Sequence, residues 1–305
     1  MQKAYVSALY ALLKRDPNVI SCLSDSGTDY DELIAREFPD RVVNFGISEN
    51  NQLAAAAGMA AAGKIPFVYT TGAFIAYRSY EFLRDDICLQ NRNVKLIGMG
   101  TGVSWSTLGA THHTTEDLGL LRSLPNLTVV TPATPRELIA AVHAAYALPG
   151  PVYLRIGMSG EQEFFDESYE FQLGKRVVVR DGSDLTLFST GSILSELMGA
   201  AVLLEAEGLS ARVVNLHTLK PLDAEGIVRE CEQGRPVFSV EEHNVLGGLG
   251  TAIADVCATH GVAVRLTKIG LRDVFAAGFG TRAEVLRQNR LDAEGIFKQI
   301  MEAVK

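Results

Sequence analysis

Short runs of apolar and β-branched residues alternate along this chain with longer amphipathic stretches, and that alternation restricts the fold more than any other feature. In the first half the strand-like runs are NVISCL (18–23), RVVNF (41–45), IPFVYT (65–70), VKLIGM (94–99), LTVVTP (127–132) and PVYLRI (151–156). Each is short, apolar on both faces and bounded by turn residues, as parallel strands covered by helices on both sides require. Helix-like segments fall between them over 2–14, 31–38, 49–62, 79–91 and 135–148. Thr134 and Pro135 suit N-cap and first-turn positions, and Gly63 suits a C-terminal stop. Strand, helix and strand in repetition make crossover units, so the fold class is α/β with a doubly wound sheet.

Over 158–175 the alternation lapses. This stretch, MSGEQEFFDESYEFQLGK, is acidic and aromatic and follows neither period, so it reads as a linker whose rings pack onto a neighbouring surface. The pattern restarts with DLTLFST (184–190), a helix over 192–207 stopped by Gly208, ARVVNL (211–216), PVFSVEE (236–242), a helix over 248–260 and VAVRLTKIG (262–270). Helical stretches over 281–289 and 292–304 follow. Two doubly wound α/β domains of unequal size are expected, and 305 residues are enough for both.

The hydrophobic share is 47% and the charged share 21%, a balance that excludes a disordered chain. Lys and Arg number 28 against 36 Asp and Glu, a formal net charge of −8 with no basic run. Binding to nucleic acid or to an anionic membrane rests on attraction to phosphate, so neither partner is expected. Cys22, Cys88, Cys231 and Cys257 include no C-x-x-C pair and suit neither a disulfide scaffold nor a zinc site. The N-terminal stretch lacks the continuous apolar core and cleavage site of a secretory signal, and the most apolar stretch, 53–62, is too short for a bilayer. A reduced, cytoplasmic protein is expected.

Open α/β sheets hold ligands beyond the carboxyl ends of their strands, so the strand-to-helix turns are where chemistry is sought. The first such turn is Asn44-Phe45-Gly46-Ile47-Ser48-Glu49-Asn50. Ser48 can cap the helix, which leaves Glu49 in its first turn, either complementing the helix dipole or transferring protons. The second runs from Gly98-Met99-Gly100-Thr101-Gly102 into the polar loop SWSTLGATHHTTED, and loops of that length usually have a function. His112 and His113 there are candidate acids, bases or hydrogen-bond donors, or simply surface histidines. Adjacent rings point apart and no carboxylate or Cys has ligand spacing, so no metal site is expected in this chain. The third turn is Glu241-Glu242-His243-Asn244 followed by Gly247-Gly248-Leu249-Gly250. As a dinucleotide fingerprint it fails, because Ile253 stands where a small residue is needed. P-loop and G-x-S-x-G patterns are absent. By residues alone this is a two-domain α/β protein with three candidate loops and no named reaction.

At those same loops the chain resembles the C-terminal half of a transketolase, and more narrowly the smaller subunit of transketolases split over two polypeptides. The resemblance spans nearly the whole sequence. It rests on Phe38-Pro39-Asp40-Arg41 with Gly46-Ile47-Ser48-Glu49-Asn50, on the substrate loop Ala110-Thr111-His112-His113, on Thr190-Gly191-Ser192 with ARVVNLHTLKPLD (211–223), and on the third turn. It implies a thiamine pyrimidine-binding domain over 1–157, a linker over 158–175 and a transketolase C-terminal-type domain over 176–305. The family's Gly-Asp-Gly…Asn signature for Mg²⁺ and diphosphate is missing from the sequence. The resemblance therefore implies thiamine diphosphate as cofactor and Mg²⁺ ligands on a larger N-terminal partner subunit. It also implies self-association as a dimer within a heterotetramer.

Residue roles follow from the same resemblance. Glu49 matches the carboxylate that bonds N1′ of the aminopyrimidine, Phe74 an aromatic that stacks on that ring, and Tyr77 a neighbour that closes the pocket. His112 matches a histidine that bonds the substrate's hydroxyls and developing alkoxide, and Arg155, helped by Arg78, matches a sugar-phosphate-binding arginine. Leu108-Gly109 stands where the family has Asp-Gly, Thr71 replaces a pocket phenylalanine, and Trp105 narrows the entrance. These departures imply specialised substrates. The implied activity is transfer of a two-carbon ketol unit from a ketose phosphate to an aldehyde. The alternatives are the β subunit of a 2-oxo-acid dehydrogenase, a deoxyxylulose-phosphate-synthase-like enzyme, and a non-catalytic regulatory subunit.

Overall fold

The computed structural model describes residues 1–25, 34–158 and 162–305. The apolar runs of the first half become β1 (Val19–Leu23), β2 (Val42–Asn44), β3 (Ile65–Thr71), β4 (Lys95–Met99), β5 (Thr128–Val130) and β6 (Val152–Ile156). The second half supplies β7 (Val177–Arg180), β8 (Leu185–Ser189), β9 (Ala211–Asn215), β10 (Thr218–Lys220), β11 (Val237–Asn244) and β12 (Leu266–Leu271). Among the described residues they form one sheet in the order β10-β5-β6-β4-β3-β1-β2 and another in the order β12-β11-β8-β9-β7. Both are parallel except at one edge, where β10 runs antiparallel to β5 and β7 antiparallel to β9. Two doubly wound α/β sheets are thus what the alternation implied.

Register explains why the strands read as apolar on both faces. Cys22, Val68, Leu96 and Tyr153 are paired in a row across four strands, and all four belong to one core. One residue further along, Leu23, Tyr69, Ile97 and Leu154 form the next row and belong to the other core. Successive side chains point to opposite faces, and helices cover both. The helices are α1 (Gln2–Arg15), α2 (Glu49–Ala61), α3 (Asp117–Leu121), α4 (Pro135–Ala147), α5 (Leu194–Ala206), α6 (Ala224–Cys231), α7 (Leu249–Thr259), α8 (Arg282–Gln288) and α9 (Ala293–Val304). Leu9 and Leu12 of α1 join Leu138 and Val142 of α4 on one side of the first sheet, and Leu53 and Ala56 of α2 lie on the other.

Several elements differ from expectation. The helix expected over 79–91 starts earlier and is wound with wide π-turns at Phe74–Arg78 and Leu83–Cys88. β7, β10 and α6 were not expected, and the strand expected from 262 begins at Leu266. Of the helix expected over 31–38, residues 31–33 lie outside the described residues and 34–37 are helical. β10 follows β9 in the second sheet yet covers the edge of the first, with Thr218 opposite Val130. Among the described residues of 158–175 no helix or strand forms. Their rings are nonetheless placed: Phe165 stacks on Tyr169 at 4.2 Å, and Phe171 lies 4.4 Å from the His217 ring. One core joins Leu96 and Leu121 to Leu249 and Ile253 of α7, so the two sheets share packing. No helix of the described residues is long and apolar enough to cross a membrane.

Candidate active site

The carboxyl ends of β1, β3 and β4 open into a cavity of about 640 Å³ whose lining includes Ser24, Thr70, Thr71 and Met99. Glu49 enters it from the turn after β2. Asn44 Oδ1 accepts a hydrogen bond from Gly46 N at 2.8 Å, and Gly46 has φ +63°, so the chain reverses sharply there. Ser48 is the N-cap residue of α2, but its hydroxyl donates to Phe45 O at 2.6 Å instead of accepting from the helix. Glu49 is therefore the polar group that the N-terminus of α2 presents to the cavity, and it is only 3% exposed.

A second wall comes from the π-turn after β3. Gly72 is needed at its start, since a Cβ there would lie 2.7 Å from Thr101 Cγ2. The wide turn closes with Ser79 N donating to Phe74 O at 3.2 Å, and it directs both Phe74 and Arg78 to the cavity. Arg78 Nη1 donates to Glu49 Oε2 at 2.7 Å, and the guanidinium carbon lies 4.3 Å from the centre of the Phe74 ring. Phe74 in turn meets the His112 ring edge-on at 5.3 Å.

The third wall is the loop after β4. Gly102 N donates to Thr114 O at 3.0 Å and Thr114 N to Gly102 O at 2.8 Å, pinching the loop shut at its neck. Trp105, Leu108 and His112 all line the cavity, with Leu108 half-exposed. Thr111 Oγ1 lies 3.0 Å from His112 Nδ1. His113 turns inward and is buried, and burial pushes its imidazole pKa down.

Glu49, Phe74, Arg78, Leu108 and His112 are thus brought together, whereas Arg155 and Tyr77 are not among the lining residues. The structure corrects the expectation for Arg155. Its Nε donates to Asp117 Oδ2 at 2.9 Å and its Nη2 to Thr114 O at 2.8 Å and Glu242 O at 3.1 Å. At 3% exposure, with Nε and Nη2 engaged by protein and no place in the cavity lining, that guanidinium is not positioned to grip a substrate phosphate. The Tyr77 hydroxyl donates to Glu116 Oε2 at 2.6 Å, fastening the π-turn to the start of α3. Burial raises its pKa.

Glu241–Asn244 forms the end of β11 and is also structural. Glu241 accepts hydrogen bonds from Leu249 N and Gly250 N at the start of α7, at 2.7 and 3.0 Å. Glu242 accepts from Val103 N at 2.7 Å and pairs with Arg282. His243 Nε2 accepts from Leu118 N at 3.1 Å. These residues brace the loop after β4 and the starts of α3 and α7. Sequence reading missed Gln2, Ser24, Asp25, Thr70 and Met158, which line the cavity without any motif to mark them.

A buried carboxylate beside an aromatic face suits a flat, hydrogen-bonding heteroaromatic ring. Among the described residues no group of three His, Cys, Asp or Glu side chains is arranged to hold a metal ion. Residues 1–159 match the family description "Transketolase, pyrimidine binding domain" and residues 174–296 match "Transketolase, C-terminal domain". The chain is 36% identical over 261 residues to an apulose-4-phosphate transketolase subunit of Actinobacillus succinogenes, covering 86% of this chain and 84% of the relative. It is 33% identical over 276 residues to the 6-deoxy-6-sulfo-D-fructose transketolase subunit SqwH of Clostridium sp. (strain MSTE9), covering 90% of this chain and 85% of the relative. A solved structure described as a split gene transketolase, inactive beta4 tetramer, matches with a TM-score of 0.89 at 35% identity over 99% of this chain and 97% of that one. The chain belongs to the transketolase family and has the domain content of that family's C-terminal half.

Proposed function

We propose that this chain is the smaller subunit of a thiamine-diphosphate-dependent transketolase split over two polypeptides. The observation that carries the reading is Glu49, a buried carboxylate at a helix N-terminus, facing a cavity shared with Phe74 and His112. Bound thiamine diphosphate supplies the reactive carbon through which a two-carbon ketol unit passes from a ketose to an aldehyde. Glu49 would hold the proton at N1′ of the aminopyrimidine. Phe74 would orient that ring by stacking, which supplies apolar area and direction together. His112, on the neck-pinched loop, would donate to substrate hydroxyls and to oxygen as negative charge develops on it. Mg²⁺ and the diphosphate would be held by a larger N-terminal subunit, with two copies of each chain in a heterotetramer.

The substrate is expected to be an anionic sugar. Both relatives are named for sugars bearing a phosphate or a sulfo group. With Arg155 engaged, Arg78 is the one Lys or Arg among the described lining residues and so the group available to meet that anion. Leu108 and Trp105 line the same cavity and offer apolar surface, which favours a substrate with less hydroxylation at the matching carbon. The test is to mix this chain with its larger subunit, Mg²⁺ and thiamine diphosphate, and to assay ketol transfer from phosphorylated ketoses. Activity is expected only in the mixture. Turnover by this chain alone, or CO₂ release from pyruvate in place of ketol transfer, would overturn the assignment.

A further inference from the structure

We infer that Arg78 is a built-in stand-in for the aminopyrimidine ring, held on Glu49 until the coenzyme displaces it; the inference rests on the thiamine reading of the cavity. A guanidinium is flat, delocalised and edged with N–H donors. Arg78 uses both properties, donating to Glu49 Oε2 at 2.7 Å while its central carbon lies 4.3 Å from the centre of the Phe74 ring. An aminopyrimidine bonding the same carboxylate and stacking on the same ring needs those two contacts. Ring and guanidinium cannot both occupy that face of Phe74 and that oxygen.

The backbone accounts for the fit. Phe74 and Arg78 are the two ends of one π-turn, and α2 sets Glu49 against them. The physical need is also plain. A carboxylate buried without a partner is strongly unfavourable, and Glu49 is 3% exposed. Arg78 meets that need reversibly, because its own side chain is 47% exposed and can swing toward solvent. Once displaced it remains at the cavity as a free cation for the sugar's anionic group. One side chain then serves the carboxylate before the coenzyme arrives and the substrate afterwards.

A competitor on the site lowers apparent coenzyme affinity by the fraction of molecules in which it has moved away. Removing it should therefore tighten coenzyme binding while weakening the substrate, opposite signs that a general structural defect does not produce. The experiment titrates thiamine diphosphate, with Mg²⁺, into the assembled two-subunit complex by calorimetry, comparing wild type with Arg78→Met and Arg78→Lys. For Arg78→Met the coenzyme Kd is expected to fall about fivefold or more, while KM for a phosphorylated ketose rises at saturating coenzyme. Arg78→Lys should fall between the two, since an ammonium pairs with Glu49 but does not stack. A Kd unchanged or raised in Arg78→Met overturns the stand-in while leaving the thiamine site intact. A wild-type complex that binds no thiamine diphosphate overturns the site reading, and the stand-in with it.

Discussion

Arg155 takes its role from burial, whereas Arg78 takes its role from exposure. The Arg155 guanidinium is enclosed and held by Asp117, which also accepts from Tyr153 Oη at 2.9 Å. Removing one partner of a buried pair strands the other charge, at a cost of about 3–5 kcal/mol. Asp117→Asn is therefore expected to lower the unfolding free energy by that much, seen as a lower urea midpoint at unchanged slope; a loss below about 1 kcal/mol would show that the pair is dispensable. At this scale the sequence marked Glu49 by a helix start after a strand and His112 by a long glycine-flanked loop, and both line the cavity, while their roles came only from the resemblance. It misplaced Arg155, because one step along a strand exchanges faces. Nothing local says that Asp117, 38 residues away, closes the face Arg155 occupies. The pairing of Arg78 with Glu49 was hidden for a related reason, since it depends on a π-turn that no apolar period reports.

Among the elements, buried strands were legible and the antiparallel edge strands were not. β1, β4 and β6 are wholly buried and read as mainly apolar runs, but β7 is partly exposed and β10 has three residues. α6 escaped notice because its eight residues are too few to establish a period, although Asp223 caps it by accepting from Gly226 N at 3.2 Å. The loop that carries His112 depends on a tighter constraint. Gly102 has φ +65°, and a Cβ there would lie 2.4 Å from Glu242 Oε1, the atom that holds Val103 N. Gly46 has a similar φ of +63° but open space around it. Gly46→Ala is thus expected to cost only the backbone strain, ~1 kcal/mol, whereas Gly102→Ala adds the collision and should cost roughly 2–3 kcal/mol. Trp105, the sole tryptophan, lies on that loop, so its emission should shift to the red in Gly102→Ala and stay put in Gly46→Ala. Equal effects of the two substitutions would mean that Glu242 does not anchor the loop.

Across the whole molecule the two sheets are joined through side chains at a buried junction. Glu137, fully buried at the start of α4, accepts from Ala133 N at 2.6 Å, from Asn215 Nδ2 of the second sheet at 3.0 Å, and from Tyr169 Oη of the connecting segment at 2.8 Å. None of these partners is a cation, and Glu163 nearby adds a like charge. Burial consequently pushes the Glu137 pKa up to about 7. An acid whose pKa is higher in the folded chain binds its proton more tightly there than in the unfolded chain. Its contribution to stability is complete below the ordinary carboxyl range and is lost as pH rises through about 7. Wild type should therefore lose on the order of 2–3 kcal/mol between pH 5 and pH 8 from this group. Glu137→Gln stays neutral throughout that window. It gives up one acceptor, so its melting temperature should lie below wild type at pH 5 and close the gap by pH 8. Melting curves at pH 5, 6.5 and 8 decide the matter: a gap that stays constant would mean that Glu137 does not exchange its proton in this range and that the junction between the sheets is indifferent to pH.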